Sequence, residues 1–516
     1  MMKVHSGNET RDAKQHSSDP YLPVIATLIL LGVVIRVWLA STTHATEEDF
    51  YITLRYAENI ASGRGFVYNP GEHVLGVTTP LYALLLALIK WVGWNPVAGA
   101  KGIGIVSDAL AAFFTYRLSR VIGRPVAGMC AVLCLMLGPT NLIWSTKGME
   151  VGLDAAVAAG TWCAWAEKRE LAAWCGAAIL VLLRIDGIAL AVIMLIATMV
   201  IRRQMPWRGL GLFVILIAPW ALFAMHTFGS AVPLSLSAKL RVYAKLIPGT
   251  FPQLRPFLGL MLHNPLGLIC AIGTLCFVGF TVSRRSAVPE QQARDRILLP
   301  CLIWICTHYA GMALSHVVLF GWYFVPPTPI YYLVAFTGWS AAVGALTVAG
   351  SSQLLSTPSR TGGIVLAVAF LVATVVTPRV YHTLQEGQRV ERDLRIPIGL
   401  WLRNNARPSD SVMLEPIGYI GYYSRLRVID VIGLVSPEAL PSYGPEIPCP
   451  DHDLWHRLSP TWLLLRAGQW KTLRQYEETL PDNQRIESYY HAVQLFRDPT
   501  SRGGFPDFIL LRRDQN

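Results

Sequence analysis

Acidic side chains, together with one arginine, follow three separate apolar stretches of the sequence. They are Glu48 and Asp49, Glu150, and the pair Arg184 and Asp186. Carboxylates can take a proton from a reacting hydroxyl or can bind a hard divalent cation through their oxygens. A guanidinium matches the oxygens of an anionic group such as a phosphate. These groups can act together only if the elements around them bring the three turns to one side of the molecule.

The amino-acid composition indicates which class of protein carries these charged turns. Of 516 residues, 53% are apolar and only 15% are Asp, Glu, Lys or Arg, and the mean hydropathy is +0.41. Such a chain has too little polar surface to cover a water-soluble globule, so we predict an integral membrane protein. A soluble enzyme, a fibrous protein and a disordered chain are excluded. The net charge of +11 would suggest a nucleic-acid partner in a soluble protein. In a membrane protein the location of the basic residues in the loops matters more than their sum, so we expect no nucleic-acid partner.

Twelve apolar runs divide the first three quarters of the chain. They lie at roughly 21–40, 79–94, 98–116, 124–143, 151–166, 171–183, 187–201, 209–226, 256–282, 297–315, 326–347 and 362–378. Run 79–94 is short, contains Lys90 and ends in Trp91 and Trp94, which is typical of a helix lying along the membrane surface. If it does not cross, every short loop rich in Lys and Arg falls on one side, as the positive-inside rule requires. We therefore predict eleven spans.

This topology predicts three regions. Residues 1–20 form a cytoplasmic tail, residues 21–378 form the membrane domain with a large first outer loop at 41–97, and residues 379–516 form an extracytoplasmic domain. The last region has fewer apolar residues, and short β-like runs alternate there with helix-like stretches, which indicates a small α/β domain. The β-like runs are Ser411–Leu414, Arg427–Asp430, Trp462–Leu465 and Asp507–Leu511.

With this orientation, the three charged turns all face outward. Glu48 and Asp49 follow the first span, Glu150 ends the outward loop after the third, and Arg184-Ile185-Asp186-Gly187 marks the outward turn after the fifth. Charged groups at the ends of spans are costly unless they face protein or water. We therefore expect a cavity at the outer leaflet that collects them.

The first outer loop has the most specific sequence. Residues 48–59 read Glu-Asp-Phe-Tyr-Ile-Thr-Leu-Arg-Tyr-Ala-Glu-Asn, and residues 63–72 read Gly-Arg-Gly-Phe-Val-Tyr-Asn-Pro-Gly-Glu. The acidic pair predicts a helix start, the glycines and Asn-Pro-Gly predict turns, and Pro80 predicts the first residue of a second helix. A long loop with such specific turn residues is usually functional.

These motifs resemble the first periplasmic loop of membrane glycosyltransferases of the GT-C superfamily. The similarity is to the protein O-mannosyltransferase group and the mycobacterial arabinofuranosyltransferases, in which this loop carries an in-plane juxtamembrane helix. The turn at Gly148-Met149-Glu150 resembles the second acidic motif of the family. Residues 184–187 resemble its Arg-Pro-Asp-Gly turn, with Ile185 in place of the proline. The resemblance covers about residues 20–200.

The resemblance implies transfer of a sugar from a polyprenyl-phosphate donor to an acceptor hydroxyl outside the cytoplasm. A hydroxyl is a poor nucleophile and needs a general base, for which motif position selects Asp49. Glu48 and Glu150 would then orient hydroxyls, and Arg184 would hold the donor phosphate. Further expected substrate contacts are Tyr51, Arg55, Asp186, His316 and Tyr323.

Each candidate also has an ordinary structural explanation. Glu48 and Asp49 can solvate the end of a span and start a helix favourably with its dipole. Arg184 can simply pair with Asp186, and Tyr323 can belong to the interfacial aromatic belt. We expect Arg36, near the outer end of the first span, to extend towards the interface. Asp108 and Asp154 are expected to bond across helices. Lys239, Arg241 and Lys245 form a basic cluster on an outward loop, for which contact with a phosphate or a lipid head group is an alternative to the solvated face that we expect.

Cofactors, partners and competing functions follow from the same argument. Glu48, Asp49 and Glu150 together would suit a divalent cation, but we predict no required cofactor or metal. The expected partners are a polyprenyl-phosphate-linked sugar, a glycan, lipid or protein acceptor, and membrane lipids, in the inner (cell) membrane. A transporter or flippase of a lipid-linked substrate is one alternative, although its ionisable residues should lie at mid-membrane. A non-catalytic glycan-binding relative is the other.

Overall fold

The structure is a computed structural model that describes residues 19–247, 249–262, 264–282, 289–347, 357–498 and 507–514. Most of the predicted cytoplasmic tail, residues 1–18, lies outside the described residues. The helices are α1 Leu22–Thr43, α2 Glu48–Ala61, α3 Pro80–Trp91, α4 Pro96–Val121, α5 Pro125–Leu137, α6 Pro139–Thr146, α7 Val151–Ala166, α8 Glu170–Leu183, α9 Ile188–Arg202, α10 Trp207–Phe228, α11 Leu234–Leu246, α12 Leu254–Leu262, α13 Pro265–Val282, α14 Pro289–Asp295, α15 Leu299–Ala313, α16 Thr328–Thr347, α17 Pro358–Val390, α18 Ile396–Asn405, α19 Tyr419–Ser424, α20 Pro450–Leu458 and α21 Ala467–Glu477. The strands are β1 Ser411–Leu414, β2 Arg427–Asp430, β3 Trp462–Arg466, β4 Tyr490–Phe496 and β5 Phe508–Arg513.

The chain is a multi-pass membrane protein, and a helix occupies every predicted span. Among the described residues, seven helices are long and apolar enough to cross a membrane, and the pair α5 and α6, bent by 50°, makes up to eight. The predicted spans at α7, α8 and α16 do not meet that criterion, so the count of eleven stays a prediction. Helix α3 has 12 residues, or about 18 Å at 1.5 Å per residue, which is too short to span the hydrocarbon core.

The bend between α5 and α6 has a local cause that involves Arg36. Pro139 has no N–H, so the carbonyl of Leu135 loses its helical partner. The Arg36 guanidinium donates hydrogen bonds to the carbonyl oxygens of Leu135 at 3.0 Å and Met136 at 2.6 Å. It also pairs with Asp108 at 2.7 Å. The prediction that Arg36 extends to the interface is wrong, because its side chain is completely buried; the prediction that Asp108 bonds across helices is confirmed.

Ion pairs join the loops that were expected to share the cytoplasmic side. Arg117 pairs with Glu167, and Arg124 pairs with Asp295 at 2.7 Å. Since each pair links two different basic loops, these loops lie at the same end of the helix bundle. The arrangement is the one that the charge bias predicted for them.

The C-terminal region forms a five-stranded sheet in the order β2-β1-β3-β5-β4. The first three strands are parallel, while β5 is antiparallel to β3 and to β4. All four predicted β-like runs are strands, and the predicted α/β domain is confirmed. Strand β4 was missed because it is an edge strand with mostly exposed side chains and a register shift between Ala492 and Gln494, so it lacks a clear alternation.

The sheet is buried on both faces, which explains the nearly continuous apolar runs of its inner strands. Val412 faces one hydrophobic cluster, whereas the next residue, Met413, faces another. The first cluster contains Phe66, Leu75 and Val77 of the first outer loop. The loop and the C-terminal domain therefore share one core and lie at the same end of the molecule.

The membrane domain and the C-terminal domain are joined by a nearly continuous helical stretch. Helix α17 runs past residue 378, where the membrane region was predicted to end, and reaches Val390. A π-helical turn at Glu391–Arg395 then leads into α18. The first residues of the predicted outer domain therefore extend the last predicted span.

Candidate functional site

A cavity of about 490 Å³ lies where the three charged turns meet. Its lining includes five of the predicted site residues: Asp49, Glu150, Arg184, Asp186 and Tyr323. Apolar groups such as Ile188, Ala189 and Met312 form much of the remaining wall. Leu434, from the C-terminal domain, also reaches the cavity.

Asp49 enters the cavity from the first turn of α2, where a carboxylate interacts favourably with the helix dipole. Its side chain is 34% exposed, and its closest charged neighbour is Lys239, with 4.0 Å between Oδ2 and Nζ. No hydrogen bond occupies this carboxylate in the described part of the chain. Asp49 is therefore available to a bound substrate.

The turn that carries Glu150 is fixed to the start of α2. Glu47 donates its backbone N–H to the carbonyl oxygen of Lys147 at 3.2 Å, and the two side chains form an ion pair at 2.7 Å. Gly148 has a φ of 83° and packs on the Phe50 ring, where a Cβ would lie 3.3 Å from ring carbons. The turn therefore needs glycine for both its conformation and its close approach. As a result, Glu150 and Asp49 share one rigid support.

Arg184 is largely occupied by carboxylates. Its guanidinium contacts Glu150 at 3.0 Å, Asp186 at 3.1 Å and Asp154 at 3.8 Å. The pairing of Arg184 with Asp186, left open from the sequence, is present. Burial raises the pKa of Glu150, and the positive charge of Arg184 opposes that effect. The geometry makes Arg184 a support for the acidic groups as well as a source of positive charge.

Helix α11 supplies two further cavity groups: Lys239, for which we expected a solvated face, and Ser235, which the sequence did not single out. Ser235 and Lys239 are four residues apart and therefore lie on one helix face. Ser235 is 3% exposed, and its hydroxyl has no hydrogen-bond partner among the described residues. Burial would lower the pKa of Lys239, but Tyr323 and the carboxylate of Asp49 outweigh it and raise that pKa, so the side chain is a cation.

The basic cluster on α11 thus divides into three environments. Lys239 lines the cavity, Arg241 is exposed, and the Lys245 ammonium donates to the carbonyl oxygens of Gly444 at 2.7 Å and Ile447 at 2.6 Å in the C-terminal domain. A solvated face, which we expected for all three, holds only for Arg241. The four-residue spacing of Ser235 and Lys239 was the available signal, but it gains meaning only once Val242 of the same helix is known to pack against the C-terminal domain.

Three predicted site residues on α2 point away from the cavity. The Glu48 carboxylate accepts backbone N–H bonds from Gly418 and, at 3.2 Å, from Tyr419, and it lies 3.4 Å from Arg395. Burial raises the pKa of Glu48 to about 8, against the opposing effect of Arg395. Glu48 therefore fastens α2 to the C-terminal domain. We expected it to orient substrate hydroxyls, but its carboxylate does not face the cavity.

Tyr51 and Arg55 belong to the same contact. The Tyr51 ring packs on the Tyr419 ring with 4.2 Å between centroids. The buried Arg55 guanidinium donates to the carbonyl oxygens of Gly421 at 2.6 Å and Leu426 at 2.7 Å. Their side chains are engaged in packing and main-chain contacts, and neither lines the cavity.

Of the two candidates on the later outward loop, Tyr323 lies at the cavity and His316 does not. Tyr323 lines the cavity with its ring 5.6 Å from the Arg184 guanidinium carbon. His316 is half-buried and hydrogen-bonds to the carbonyl oxygen of Gly249 at 2.8 Å, outside the cavity lining. A different histidine, His308, lines the cavity, and its Nδ1 lies 3.9 Å from Asp186.

The acidic trio considered for a divalent cation does not converge. Glu48 is turned towards Gly418, and Glu150, which lines the same cavity as Asp49, is paired with Arg184, so the three carboxylates do not meet around one point. Within the described ranges, no group of three His, Cys, Asp or Glu side chains could hold a metal ion. A metal-independent reaction stays a prediction.

Comparisons with known proteins place this geometry in a known fold. A family model described as a domain of unknown function, DUF8728, matches residues 381–508. No curated protein matches the sequence significantly. A crystal structure of ArnT from Cupriavidus metallidurans bound to undecaprenyl phosphate is similar, with 12% identity and a TM-score of 0.56 over 94% of this chain and 97% of that chain.

A second similar structure is an oligosaccharyltransferase from Archaeoglobus fulgidus, tethered to an acceptor peptide. It has 13% identity and a TM-score of 0.57, covering 94% of this chain and 74% of that one. At such low identity the likeness shows the fold alone. The chain therefore shares the fold of these two solved structures, which is the fold implied by the GT-C resemblance of its first outer loop.

Proposed function

We propose that this protein is a membrane glycosyltransferase that moves a sugar from a polyprenyl-phosphate donor to an acceptor hydroxyl, with Asp49 as general base. The observation that carries the proposal is the cavity in which an accessible carboxylate, Asp49, lies 4.0 Å from the ammonium group of Lys239. Transfer needs one group that removes a proton and one that stabilises a departing phosphate. The two lie side by side here.

Asp49 fits the base better than the other carboxylates of the cavity. Glu150 is 4% exposed and pairs with Arg184, and Asp186 contacts the same guanidinium at 3.1 Å. Asp49 combines 34% exposure with the absence of a hydrogen-bonded partner in the described chain. An acceptor hydroxyl in the cavity could give its proton to Asp49 while its oxygen bonds to the anomeric carbon of the sugar.

Lys239 and Ser235 fit the donor phosphate. In this reaction the bond between the anomeric carbon and the phosphate oxygen breaks, and polyprenyl phosphate leaves with the bonding electrons. The leaving group is already an anion and needs positive charge and hydrogen-bond donors, with no general acid. The ammonium of Lys239 and the hydroxyl of Ser235, which has no hydrogen-bond partner in the described ranges, supply both from one face of α11. Arg184 adds positive charge while it orients Glu150.

The walls of the cavity and the similar structures support a lipid-linked donor. Apolar side chains of α9 and α15, among them Ile188 and Met312, line the cavity and suit a polyprenyl chain. ArnT was solved with undecaprenyl phosphate, and the archaeal oligosaccharyltransferase was solved with dolichol-phosphate and an inhibitory peptide. The basic loops at the opposite end of the bundle favour an extracytoplasmic cavity in the cell membrane. A glycan, lipid or protein could serve as acceptor.

The test is release of polyprenyl phosphate by the purified protein in detergent. A panel of polyprenyl-phosphate sugars is offered with a lipid or glycan acceptor extract to the wild type, to Asp49→Asn and to Asp482→Asn. Asp482 is a matched control because its side chain is 91% exposed and lies outside the cavity. We expect turnover by the wild type and the control and its loss in Asp49→Asn. Absence of wild-type turnover across the panel, with donor binding intact, would contradict the proposed function.

A further inference from the structure

A second polar cavity, of about 620 Å³, lies on the C-terminal domain, apart from the candidate transfer site. It forms at the end of the sheet where β1 and β3 begin and β5 ends. Its lining residues are Arg407, Asp410, Ser459, Thr461, Tyr489, Arg512, Arg513 and Asp514. Its size is in the range of small-molecule sites, roughly 300–1,000 Å³.

The three arginines of this cavity have no carboxylate partner in the described part of the chain. Arg407 and Arg513 are exposed, and the Arg513 guanidinium donates to the carbonyl oxygen of Ser459 at 3.3 Å. The Arg512 guanidinium lies over the Trp462 ring, 5.1 Å from its centroid. Elsewhere on this domain arginines pair with carboxylates, as Arg427 does with Glu72 and Glu438. Three guanidiniums against two carboxylates, Asp410 and Asp514, therefore give the lining of this cavity a net positive charge.

The two carboxylates that line the cavity are engaged by other groups. Asp410 accepts hydrogen bonds from the indole N–H of Trp462 at 2.9 Å and from the backbone N–H of Arg407 at 3.0 Å. Asp514 pairs with His491 at 2.6 Å. Neither is within ion-pair distance of the three guanidiniums, so these are free to bind an external anion.

The other lining groups suit a sugar. Thr461, Ser459 and Tyr489 line the cavity. The Ser459 hydroxyl donates to the carbonyl oxygen of His456 at 3.2 Å and the Tyr489 hydroxyl to that of Asn483 at 2.9 Å, which leaves their oxygens able to accept further hydrogen bonds. Hydroxyls exchange hydrogen bonds with sugar hydroxyls, and aromatic groups with a polar tip suit a partly wet surface. Guanidiniums bind carboxylate and phosphate oxygens in pairs. The combination selects a ligand that carries both sugar hydroxyls and negative charge.

We infer that this cavity binds an acidic sugar chain through Arg407, Arg512 and Arg513. The site is independent of the proposed transfer reaction, because none of its residues lines the cavity that contains Asp49. It gives the C-terminal domain a glycan-binding surface of its own. Binding should weaken with salt, since the contacts are between charged and solvent-accessible groups.

The test measures binding of three probes to the full-length protein in detergent by isothermal titration calorimetry. The probes are trigalacturonate, neutral maltotriose and inorganic phosphate. The variant Arg407→Gln/Arg513→Gln removes two exposed charges from the cavity, and Arg425→Gln/Lys471→Gln removes two exposed charges elsewhere on the domain. Thermal unfolding of each variant establishes that it is folded.

We expect trigalacturonate to bind to the wild type and the control, and to bind about tenfold or more weakly to Arg407→Gln/Arg513→Gln. Maltotriose should not bind measurably, and phosphate should bind more weakly than trigalacturonate. The inference is overturned if trigalacturonate does not bind, if the two double variants bind it equally, or if phosphate alone binds as tightly. This binding test does not depend on transfer activity. The proposed glycan-binding site and the proposed transferase function can therefore fail separately.

Discussion

Glu48 and Asp49 are adjacent in sequence, but they meet different surroundings. Asp49 faces the cavity and Lys239, whereas Glu48 is held by the N–H groups of Gly418 and Tyr419 and by Arg395. Successive helical residues point about 100° apart, so one residue can face the substrate while the next fastens the helix. An acidic pair in this motif therefore combines a reactive group with an anchor.

The anchor makes stability depend on pH. The pKa of Glu48 is raised from 4.5 to about 8 in the folded protein, mainly by burial. The folded state then holds a proton that the unfolded chain releases, so this group makes the free energy of unfolding fall as the pH rises from about 4.5 to about 8. Glu48→Gln, which cannot ionise, should flatten that part of the profile in thermal unfolding experiments. An equal flattening by the exposed control Glu478→Gln would contradict this account.

Lys239 should contribute to donor binding more than to proton transfer. Removing a charged hydrogen-bond donor from a phosphate site costs about 1.5–3 kcal/mol, so Lys239→Gln should weaken donor binding by about tenfold to 100-fold. The measurement is the donor Kd, with Lys471→Gln as the exposed control. Unchanged donor affinity in Lys239→Gln would remove this lysine from the phosphate site.

At the scale of the elements, Arg36 supports the break between α5 and α6. Arg36→Met would leave the carboxylate of Asp108 and the carbonyl oxygens of Leu135 and Met136 without their cation. Unpairing a buried charge costs about 3–5 kcal/mol, and we expect a loss of that size in the free energy of unfolding. The double variant Arg36→Met/Asp108→Leu should recover only part of it, because the two carbonyl oxygens stay unsatisfied. Full stability of Arg36→Met would contradict this role.

The helices could be predicted from the sequence because their apolar runs are long and uninterrupted. Strands β1, β2, β3 and β5 could be predicted because most of their residues are buried, even in the edge strand β2, and burial keeps them apolar. Edge strand β4 could not, since its exposed residues obey no such constraint. The break in run 256–282 between α12 and α13 was also missed, although Pro265 marks the start of the second helix.

Some positions of the candidate site could likewise be predicted from the sequence, and others could not. Asp49, Glu150 and Arg184 could be located because charges at the ends of apolar runs are conspicuous. The positions of Glu48, Tyr51 and Arg55 could not be predicted, because they depend on partners between residues 395 and 426, for example 366 positions beyond Arg55 at Gly421. A single sequence does not show such long-range contacts.

At the scale of the whole molecule, the C-terminal domain and the first outer loop act as one body. Gly418 packs directly on α2, and a Cβ there would lie 2.1 Å from the carbonyl oxygen of Glu48. Gly418→Ala should separate the two surfaces and cost about 1–3 kcal/mol of stability through overpacking, with lower turnover because α2 carries Asp49. Gly468→Ala is the control, since nothing lies within 4 Å of its added methyl group. Equal stability and turnover of the two variants would contradict the shared core.

The measurement that tests the central claim most directly separates donor binding from transfer in Asp49→Asn. The amide keeps the shape of the side chain and removes the base, so the account predicts a loss of turnover of about 100-fold or more with little change in the donor Kd. Asp482→Asn should match the wild type in both quantities. Wild-type turnover in Asp49→Asn, or a loss fully explained by weaker donor binding, would contradict the assignment of Asp49 as the base.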